Sequence, residues 1–565
     1  MKSLSIPVGV SDFAEIRQNG YYYVDKTALI GELLKTTATK VTLITRPRRF
    51  GKTLAMSMLD TFFDIRKNSR ALFEGLTITK DQGLCEKWMN QWPTVFVSFR
   101  LVDGLNFSAA CGMLNLAIAN LYKQHLYLLD SDKISIYDKE SMNQILSGNA
   151  SVTELKGSLF LLTGMLQAYY GKPVILLIDE YDVPIAKANS NGYYNEMLDV
   201  MKGLMQALKD NPSLRFAFIT GCLRIAKESI FTGTNNFVSD TIADSRLNEY
   251  FGFVQSEVDQ ILADADVREQ AETIKEWYDG YHFGDFDVYC PWDVLNYCRD
   301  LLKDEQAQPK NYWLNTSGND VIEHFIDSVN GQQTLTKIEL ERLISGEIVQ
   351  KEINEFITYK ELYNTSENLW STLFMTGYLT QRGKADGNRY NLVIPNREVR
   401  NIITEHILVK FRQDIKKDGQ MVQRFCQALA NGQAQQVEQI FATYMSKTVS
   451  VRDTFVRRAI RENFYHGILL GILSFKDGWT VTSNRESGNG FSDILIQIDD
   501  SDTGIVIEVK YTEEGKSMES DCKEALKQID EKNYTETLYQ AGVKRILKYG
   551  IACQIKDCKV MLEEE

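Results

Sequence analysis

The fold is indicated by one stretch near the start of the chain, Lys40-Val-Thr-Leu-Ile-Thr-Arg-Pro-Arg-Arg-Phe-Gly-Lys-Thr-Leu54. Its β-branched beginning predicts a short strand, and its end opens a helical pattern that continues to Phe63. A loop that joins a strand to a helix and ends in Gly-Lys-Thr is the usual context of a phosphate-binding loop. The stretch therefore predicts a P-loop nucleotide site.

Three residues at the end of this loop have predicted roles. Backbone N–H groups from Gly51 onward, at the positive end of the helix dipole, hold phosphate oxygens in such a loop. Lys52 is placed to contact the β- and γ-phosphates, and the hydroxyl of Thr53 is placed to bind Mg²⁺. We therefore expect ATP and Mg²⁺ at this loop.

The loop departs from the usual pattern at its first position, where Arg46 replaces the expected glycine. We expect Arg46, Arg48 and Arg49 to add positive charge beside the phosphates, with the first turn of the loop built in another way. The alternative is a surface turn that contains Gly-Lys-Thr by chance. A second motif decides between these interpretations.

That motif is Pro173-Val-Ile-Leu-Leu-Ile-Asp-Glu180. Its apolar run predicts a strand buried on both faces, as in a parallel sheet. Ligands of open α/β sheets lie at the carboxyl ends of the strands, where Asp179 and Glu180 stand. Asp179 is expected to hold Mg²⁺, and Glu180 to polarise the attacking water. Both motifs at strand ends favour nucleotide binding.

Composition limits the remaining interpretations. The 565 residues suggest three or four domains, and 44% hydrophobic with 25% charged residues is ordinary for a globular protein. The sequence contains no apolar run of about 20 residues, and its start lacks the pattern of a signal peptide, so we expect a cytoplasmic protein without membrane contact. The nine cysteines contain no C-x-x-C pair, which argues against a disulfide framework or structural zinc. A net charge of −13 argues against a constitutive nucleic-acid coat.

Flanking segments complete the predicted P-loop domain. Gly20–Asp25 is expected to be a short strand, with Asp25 either capping a helix over 26–35 or contacting the nucleotide base. Further buried strands are predicted over 94–99 and 214–220. Thr220, at the end of the last strand, is expected to sense the attacking water or to be an ordinary strand-end hydroxyl. Arg224 is expected to contact phosphate or a neighbouring subunit, or to be a solvated arginine.

The middle of the chain, from about residue 250, is mostly helical by its apolar periodicity. Over 355–400, a helix, the segment Gly377–Thr380, a turn at 386–387 and a strand predict a winged-helix-like module. Such a module either contacts DNA or relays motion, and its residues do not decide between these roles.

The last 115 residues carry a separate group of polar residues. Ser492–Ile498 and Ile505–Lys510 predict two strands joined by an Asp-rich turn. If the hairpin folds near residue 501, Asp493 lies opposite Glu508, at a Cβ separation of about 5 Å that allows both carboxylates to bind one cation. Because side chains alternate along a strand, Lys510 lies on the same face as Glu508.

This face predicts a metal-dependent hydrolase site. Asp493 and Glu508 would hold Mg²⁺, and Lys510 would orient or deprotonate the water that attacks a phosphodiester. Glu462, on the helical pattern 452–473, would complete the metal shell, and Gln528 would position substrate or water. The alternative is a solvent-facing Glu–Lys strand, which the apolar residues on both faces of the two strands argue against.

The chain resembles the AAA-ATPase-like proteins of gut anaerobic bacteria that carry a C-terminal PD-(D/E)XK nuclease-superfamily domain. The resemblance covers nearly the whole chain, and Ser492 stands where the "PD" of that name has proline. It rests on Ile6-Pro-Val-Gly9, Tyr23-Val-Asp-Lys-Thr27, Arg46-Pro-Arg-Arg-Phe-Gly-Lys-Thr53, Leu177-Ile-Asp-Glu-Tyr-Asp182, Tyr312-Trp-Leu-Asn-Thr-Ser317, Phe464-Tyr-His-Gly467, Ser483-Asn-Arg-Glu486 and Glu508-Val-Lys510. The resemblance implies that arginine at position 46 is the family's own form of the loop.

Together the patterns predict an α/β protein with three parts: an AAA-like P-loop ATPase domain with a parallel sheet over 1–250, a helical lid and winged-helix-like connector over 251–450, and a restriction-endonuclease-like α/β domain over 451–565. The predicted function is an ATPase coupled to a metal-dependent DNA nuclease, with DNA and a homo-oligomer as expected partners. The alternative is a nucleotide-driven switch whose nuclease-like domain only binds DNA or a protein.

Overall fold

The computed structural model divides the chain into two compact units, one of residues 1–321 and 350–399, the other of residues 322–349 and 400–565. The described residues are 4–35, 39–224, 237–313, 321–322, 324–325, 339–340, 342–344, 346–383, 386–406, 419–448, 458–473, 476, 478–487, 490–499, 501–513, 515–554 and 557–565. Most of the 312–317 motif lies outside these ranges. So does the side chain of Asp493, although its backbone is described.

A parallel five-stranded sheet organises the first unit, as the apolar strand patterns predict. Its order is β2-β3-β4-β1-β5, and every neighbouring pair runs parallel. Residues of β1 and β3 are buried throughout, because helices cover both faces of the sheet. The strands are β1 (Val41–Thr45), β2 (Thr94–Ser98), β3 (Val174–Asp179), β4 (Leu214–Gly221) and β5 (Phe237–Asp240).

Apolar helix faces form the two cores of this sheet. One core joins the helix Lys52–Phe63 to alternate residues of β3, among them Ile175 and Leu177, and the other core takes Val174, Leu176 and Ile178. Full burial of one such side chain contributes about 1.5–3 kcal/mol. The longer helices of the unit are Ala28–Lys35, Lys52–Phe63, Phe107–Lys123, Ile136–Leu146, Val152–Tyr170, Val183–Asn191, Tyr194–Leu204, Gln255–Asp264, Ala271–Tyr278, Pro291–Leu301 and Ser366–Met375, and the shorter ones are Phe13–Gln18, Arg70–Phe73 and Gln82–Trp88.

The segment before β1 differs from its prediction. Gly20–Asp25 is extended but pairs with no strand among the described residues, and the helix begins at Ala28. One carboxylate oxygen of Asp25 accepts hydrogen bonds from the backbone N–H and hydroxyl of Thr27, and the other accepts one from the N–H of Thr77. Asp25 therefore orders the turn just before this helix, and it holds two segments together.

Short strands follow the parallel sheet. Strands β6 (Tyr281–Phe283) and β7 (Phe286–Val288) form a hairpin. A three-stranded sheet, in the order β8-β10-β9, consists of β8 (Val349–Glu352), β9 (Thr380–Gln381) and β10 (Arg389–Val393). The helix Ser366–Met375 followed by the β9–β10 hairpin is the order that the sequence predicts, while membership in the winged-helix class stays a prediction.

The second unit is built on a mixed sheet in the order β11-β12-β13-β14-β15, in which β13 and β14 are parallel and the other pairs antiparallel. Ile505 and Ile507 face the core formed with the helix Arg458–Leu473, and Val506 faces the helix Met518–Glu531. The strands are β11 (Trp479–Ser487), β12 (Gly490–Ile498), β13 (Thr503–Tyr511), β14 (Arg545–Gln554) and β15 (Asp557–Glu564), and the other helices are Gly419–Ala430, Ala434–Thr448 and Glu536–Gln540.

This architecture is a mixed α/β protein: an α/β domain with a parallel sheet of P-loop type, and a C-terminal α/β domain. Gly550 allows close packing in the latter, since a Cβ atom there would lie 2.4 Å from the carbonyl oxygen of Cys522. No helix in the described part of the chain combines the length and the apolar character that crossing a membrane requires.

Candidate functional sites

A cavity of about 410 Å³ opens at the carboxyl ends of the parallel strands in the first unit. Of the described residues that line it, six are basic and one, Glu180, is acidic. An excess of positive charge on a chain of net charge −13 marks this cavity as an anion site. The basic residues are Lys26, Arg48, Arg49, Lys52, Arg100 and Lys187.

The rest of the lining is largely apolar and aromatic. It comes from the segments 7–11 and 22–24, from Tyr250 and Phe253, and from the start of the helix Pro291–Leu301. A cavity that combines cationic and aromatic side chains suits a nucleotide. The segment 20–25, which the sequence linked to the base, contributes Tyr22 and Tyr23 to this wall.

The loop before the helix Lys52–Phe63 has the backbone shape of an anion-binding turn. Arg49 has φ 73° and Gly51 has φ 84°, both in the left-handed region. Gly51 adopts this shape without steric cost and directs the first helical N–H groups toward the cavity. Gly51, Lys52 and Thr53 all line the cavity.

Arg46 does not line the cavity. Its guanidinium is fully buried behind the loop, where it donates to the carbonyl oxygens of Thr45 (2.8 Å) and Asp240 (3.1 Å) and to Asn248 Oδ1 (2.5 Å). Burial lowers the pKa of Arg46 to about 10. Arg46 therefore links β1 to the segment after β5 by hydrogen bonds, whereas Arg48 and Arg49 line the cavity.

Lys52 is held inside the loop that precedes it. Its Nζ donates to the carbonyl oxygens of Arg46 and Pro47, each at 3.0 Å, and lies 3.7 Å from Glu180 Oε1. Burial lowers its pKa, but Cys222 and the acidic residues that end β3 outweigh burial, and the pKa lies above its ordinary value. Lys52 is therefore a positive charge held at a fixed position in the cavity.

Asp179, at the end of β3, accepts hydrogen bonds from three hydroxyl groups. Its Oδ2 accepts from Thr53 Oγ1 at 3.0 Å and from Ser98 Oγ at 3.1 Å, and its Oδ1 accepts from Thr220 Oγ1 at 2.7 Å. Burial, and next the charge of Glu180, raise the pKa of Asp179. The Thr53 hydroxyl and Asp179 carboxylate thus meet as a Mg²⁺ site requires, and both supply the hard oxygen donors that Mg²⁺ prefers.

Glu180 projects into the cavity from a strained position. Its φ of 52° is unusual for a residue with a side chain, and such strain concentrates at functional sites. The side chain keeps 15% of its surface exposed, between Lys52 and Cys222, whose Sγ lies 4.0 Å from Oε2. Glu180 can therefore contact a water inside the cavity.

Two further arginines lie against aromatic rings. The Arg49 guanidinium is 4.0 Å from the ring centre of Trp292, and both residues line the cavity. Arg224 lies 4.4 Å from the ring centre of Phe356 and does not line the cavity. The structure therefore brings Arg49 to the site and leaves Arg224 outside it.

The sequence analysis did not identify several residues of this site. Ser98 bonds Asp179 from β2, Arg100 follows on the same segment, and Trp292 comes from a helix 240 positions further along than Lys52. Ser98 and Arg100, at the end of β2, could have been recognised as site residues from the sequence, because the ends of parallel strands meet at one edge of the sheet. Trp292 had no local signal.

In the second unit, one buried face of β13 carries a closed polar triad. Lys510 Nζ donates to Glu508 Oε1 at 3.1 Å and to Gln528 Oε1 at 2.7 Å, and Gln528 Nε2 donates to the same Glu508 oxygen at 2.5 Å. Glu508 is 3% exposed and Lys510 9%. The predicted Glu–Lys face is therefore buried, and Gln528 belongs to it.

The hairpin register agrees with the predicted position of Asp493. Ile494 pairs with Ile507, so the next backbone positions outward are Asp493 and Glu508. Glu462 Oε1, from the helix Arg458–Leu473, accepts the N–H of Tyr511 at 3.3 Å. Glu462 thus lies beside the end of β13, near the strand that carries Glu508 and Lys510.

The residues of this face fit a divalent cation by their chemistry. Glu508 on this face and Glu462, from the helix that packs on the other side of β13, are carboxylates, which Mg²⁺ accepts as ligands, usually with several waters retained. Among the side chains that the structure describes, no three acidic, histidine or cysteine groups form a metal cluster. The Asp493 side chain is outside that set, and the metal role of this face stays a prediction.

The fold and these sites define a P-loop ATPase-like protein with a second, nuclease-type domain. Two family comparisons agree: residues 7–231 match the family described as Predicted AAA-ATPase, and residues 460–563 match the PD-(D/E)XK nuclease superfamily. The chain therefore carries an AAA-ATPase-like domain followed by a C-terminal domain of that superfamily.

Two individual proteins are similar to this chain. The "Uncharacterized protein in vnfD 5'region" of Azotobacter chroococcum mcd 1 is 27% identical over 418 residues, which are 73% of this chain and 71% of the relative. The Aeropyrum pernix ORC2 protein, solved as ADPNP–ADP complexes, is 11% identical with a TM-score of 0.22, over 71% of this chain and 96% of that one.

Proposed function

We propose that the first domain binds and hydrolyses ATP. The observation that carries the proposal is the meeting of Thr53 and Asp179 at 3.0 Å, with Lys52 in the same cationic cavity. Lys52 contacts the terminal phosphates, and the N–H groups after Gly51 bind their oxygens. The aromatic wall, with Tyr22 and Trp292, receives the base and ribose.

The residues around Asp179 have separate roles in ATP hydrolysis. Thr53 and Asp179 hold Mg²⁺, which neutralises charge on the phosphates when it is bound. Glu180 accepts a proton from the attacking water, and Thr220 holds Asp179 in place for this task. Arg49 stacks on Trp292 beside the phosphates. Arg46 supports the loop from behind, and Arg224 is left for contact with a neighbouring copy in a homo-oligomer.

We propose, second, that the C-terminal domain hydrolyses phosphodiester bonds of DNA. Asp493, Glu508 and Glu462 hold a divalent cation, whose chemistry is to lower the pKa of a bound water. Lys510 is anchored by Glu508 and Gln528, so its ammonium has a fixed position from which to orient that water. The burial of this triad supports a catalytic interpretation over a solvated strand face.

One observation favours a second candidate function. Lys510 and Gln528 both donate to Oε1 of Glu508, so the lysine offsets the charge of this carboxylate without a cation. Together with the net charge of −13, this suits a nucleotide-driven switch whose second domain only binds DNA or a protein.

One experiment tests both proposals. The purified chain is incubated with Mg²⁺ or Mn²⁺ and with plasmid, linear or single-stranded DNA, each with and without ATP, while phosphate release and DNA length are followed. Phosphate release that Lys52→Ala abolishes supports the ATPase. Metal-dependent cleavage that Lys510→Ala abolishes supports the nuclease, and its absence on every DNA form favours the switch.

A further inference from the structure

Asp182, two residues beyond Glu180, is buried and is the centre of three hydrogen bonds. Its Oδ2 accepts from the backbone N–H groups of Cys222 and Leu223 and from the hydroxyl of Tyr359, all at 2.9 Å. Asp182 is 1% exposed. The residue therefore joins the segment after β3, the turn after β4 and a distant loop of the same unit.

The turn after β4 has little freedom to move independently of Asp182. The hydroxyl of Tyr181 donates to the carbonyl oxygen of Leu223 at 2.7 Å. Gly221 is packed so closely that a Cβ atom would lie 2.5 Å from the Tyr181 ring and 2.7 Å from Asp182 Oδ1. A displacement of Asp182 is thus transmitted to residues 221–223.

That turn touches the groups assigned to ATP hydrolysis. The Sγ atom of Cys222 lies 3.7 Å from Lys52 Nζ and 4.0 Å from Glu180 Oε2. Burial raises the pKa of Cys222 to about 11, and the thiol accepts a hydrogen bond from Lys52 and donates one to Glu180. The turn therefore contacts both Lys52 and Glu180 directly.

The loop that carries Tyr359 connects β8 to the helix Ser366–Met375 and contacts the segments after β4 and β5 at two further points. Phe356 lies under Arg224, at 4.4 Å, and Glu355 Oε2 accepts from Thr241 Oγ1 at 2.9 Å. Burial raises the pKa of the Tyr359 hydroxyl well above its usual value, so it remains a donor. Residues 353–365 are thus linked to the nucleotide site through side chains.

We propose that Tyr359 is a positioning residue for ATP hydrolysis, which acts through Asp182 on the 221–223 turn, and that the loop 353–365 senses through this bond what occupies the cavity. The proposal rests on the ATPase function above. A nucleotide that moves Lys52 and Glu180 displaces the turn, and Asp182 transmits the displacement to Tyr359. The same hydrogen bond between Tyr359 and Asp182 also holds the 221–223 turn, and through it Glu180, in position for catalysis.

The test uses the full chain and Tyr359→Phe, which removes one hydroxyl. Binding is followed with a fluorescent ATP analogue, turnover by phosphate release, and the loop by hydrogen exchange of residues 353–365 with and without ATP. We expect kcat to fall about tenfold with Kd changed less than about twofold, which is the signature of a group that acts beyond ground-state binding. ATP should slow exchange in the wild-type loop and leave the variant's loop unaffected.

Tyr390→Phe is the matched control, because Tyr390 also donates to a carboxylate of this loop, Glu355, at 3.4 Å. It should retain wild-type turnover. In the Asp182→Asn background, Tyr359→Phe should cost less than about twofold more, since both changes break one interaction. Wild-type ATP binding with unchanged kcat in Tyr359→Phe, or an equal loss in Tyr390→Phe, overturns the inference. Failure of the wild-type chain to bind the analogue overturns the ATPase proposal and this one with it.

Discussion

The two candidate sites differ in how the chain assembles them. The nucleotide cavity collects residues from segments between positions 7 and 295, and six of its lining residues are basic, of which Lys26 and Lys187 are paired with Glu257 and Asp103. The C-terminal site takes Glu508, Lys510 and Gln528 from one strand and the helix that follows it. The first site is charged in advance for an anion, while the second balances its carboxylate with its own lysine. A lysine in a site can therefore have either of two opposite roles. Depending on its partners, it presents its positive charge to a ligand or it balances a neighbouring carboxylate.

The two sites differ in the hydrogen-bond partners of their lysines, Lys52 and Lys510. Lys52 Nζ donates to two backbone carbonyl oxygens, which carry no net charge, and its carboxylate neighbour Glu180 lies further away, at 3.7 Å, so its positive charge is less fully offset. Lys510 Nζ lies 3.1 Å from a carboxylate that is almost fully buried. Binding of a cation at Glu508 would release Lys510 from that carboxylate and make it available to a water or a phosphate. The following predictions test this contrast, in order of decreasing expected effect.

Lys510→Ala should reduce DNA cleavage about 10³-fold, within the range for loss of a group that transfers or orients a proton. It should leave Mn²⁺ affinity unchanged within about threefold, since lysine is not a ligand. Cleavage assays and isothermal calorimetry measure the two effects. Lys548→Ala is the control, because Lys548 is as buried on the neighbouring strand but bonds Asp530. An equal loss in both variants would show that only stability had changed.

Glu180→Gln should lower ATP turnover about 10²-fold and leave nucleotide affinity within about threefold, because the amide cannot accept the proton of the attacking water. Phosphate release under saturating ATP and equilibrium binding give the two numbers. Wild-type turnover in this variant would remove Glu180 from its assigned role and weaken the view of the cavity as a catalytic site.

Asp493→Asn and Glu508→Gln should each abolish the stabilisation of the chain by divalent metal. At a Mg²⁺ concentration of one hundred times its Kd, that stabilisation is about 2.7 kcal/mol. Thermal unfolding with and without Mg²⁺ measures it, and Asp499→Asn, an exposed acid in the turn of the same hairpin, should behave as wild type. A metal effect that survives both substitutions would mean that the cation binds elsewhere.

Arg46→Gly, which restores the usual P-loop glycine, should destabilise the chain by about 2 kcal/mol and should not raise ATP turnover. The substitution leaves the buried acceptors at Thr45, Asp240 and Asn248 without their donor. Denaturant unfolding and phosphate release test the two parts. Arg48→Gly, at an exposed position of the same loop, should leave stability unchanged. A several-fold faster ATPase with Arg46→Gly would show that the arginine impairs the loop.

Arg49→Lys should have the smallest effect, a loss of about 1 kcal/mol in ATP binding, or about fivefold in Kd. Lysine keeps the charge but gives up the planar stack on Trp292, at 4.0 Å in the structure. Trp292→Leu should cause a similar loss, and the double variant little more, because both changes remove one contact. Additive losses would mean that Arg49 and Trp292 contact the nucleotide independently.

Much of both sites could be predicted from local sequence. Gly51, Lys52, Thr53, Asp179 and Glu180 follow from two motifs, because strand ends and helix starts are encoded by apolar runs that stop abruptly. The hairpin register followed from counting residues about its turn, and β12 and β13 pair as counted. Gln528 was recognised as a candidate, but only the packing of its helix against β13 brings its amide to Lys510.

What the sequence by itself determined is therefore the parallel sheet, the phosphate loop and the acidic strand ends, since each depends on a periodicity or a spacing within about 20 residues. Only the tertiary structure decided that Arg46 turns into the core, that Trp292 closes the cavity beside Arg49, and that Tyr359 bonds Asp182. These three contacts join positions more than 170 apart in the chain. These contacts depend on how whole layers of helices and sheet pack against one another. They are favoured because they bury side chains and satisfy hydrogen bonds, and no local sequence pattern encodes either property.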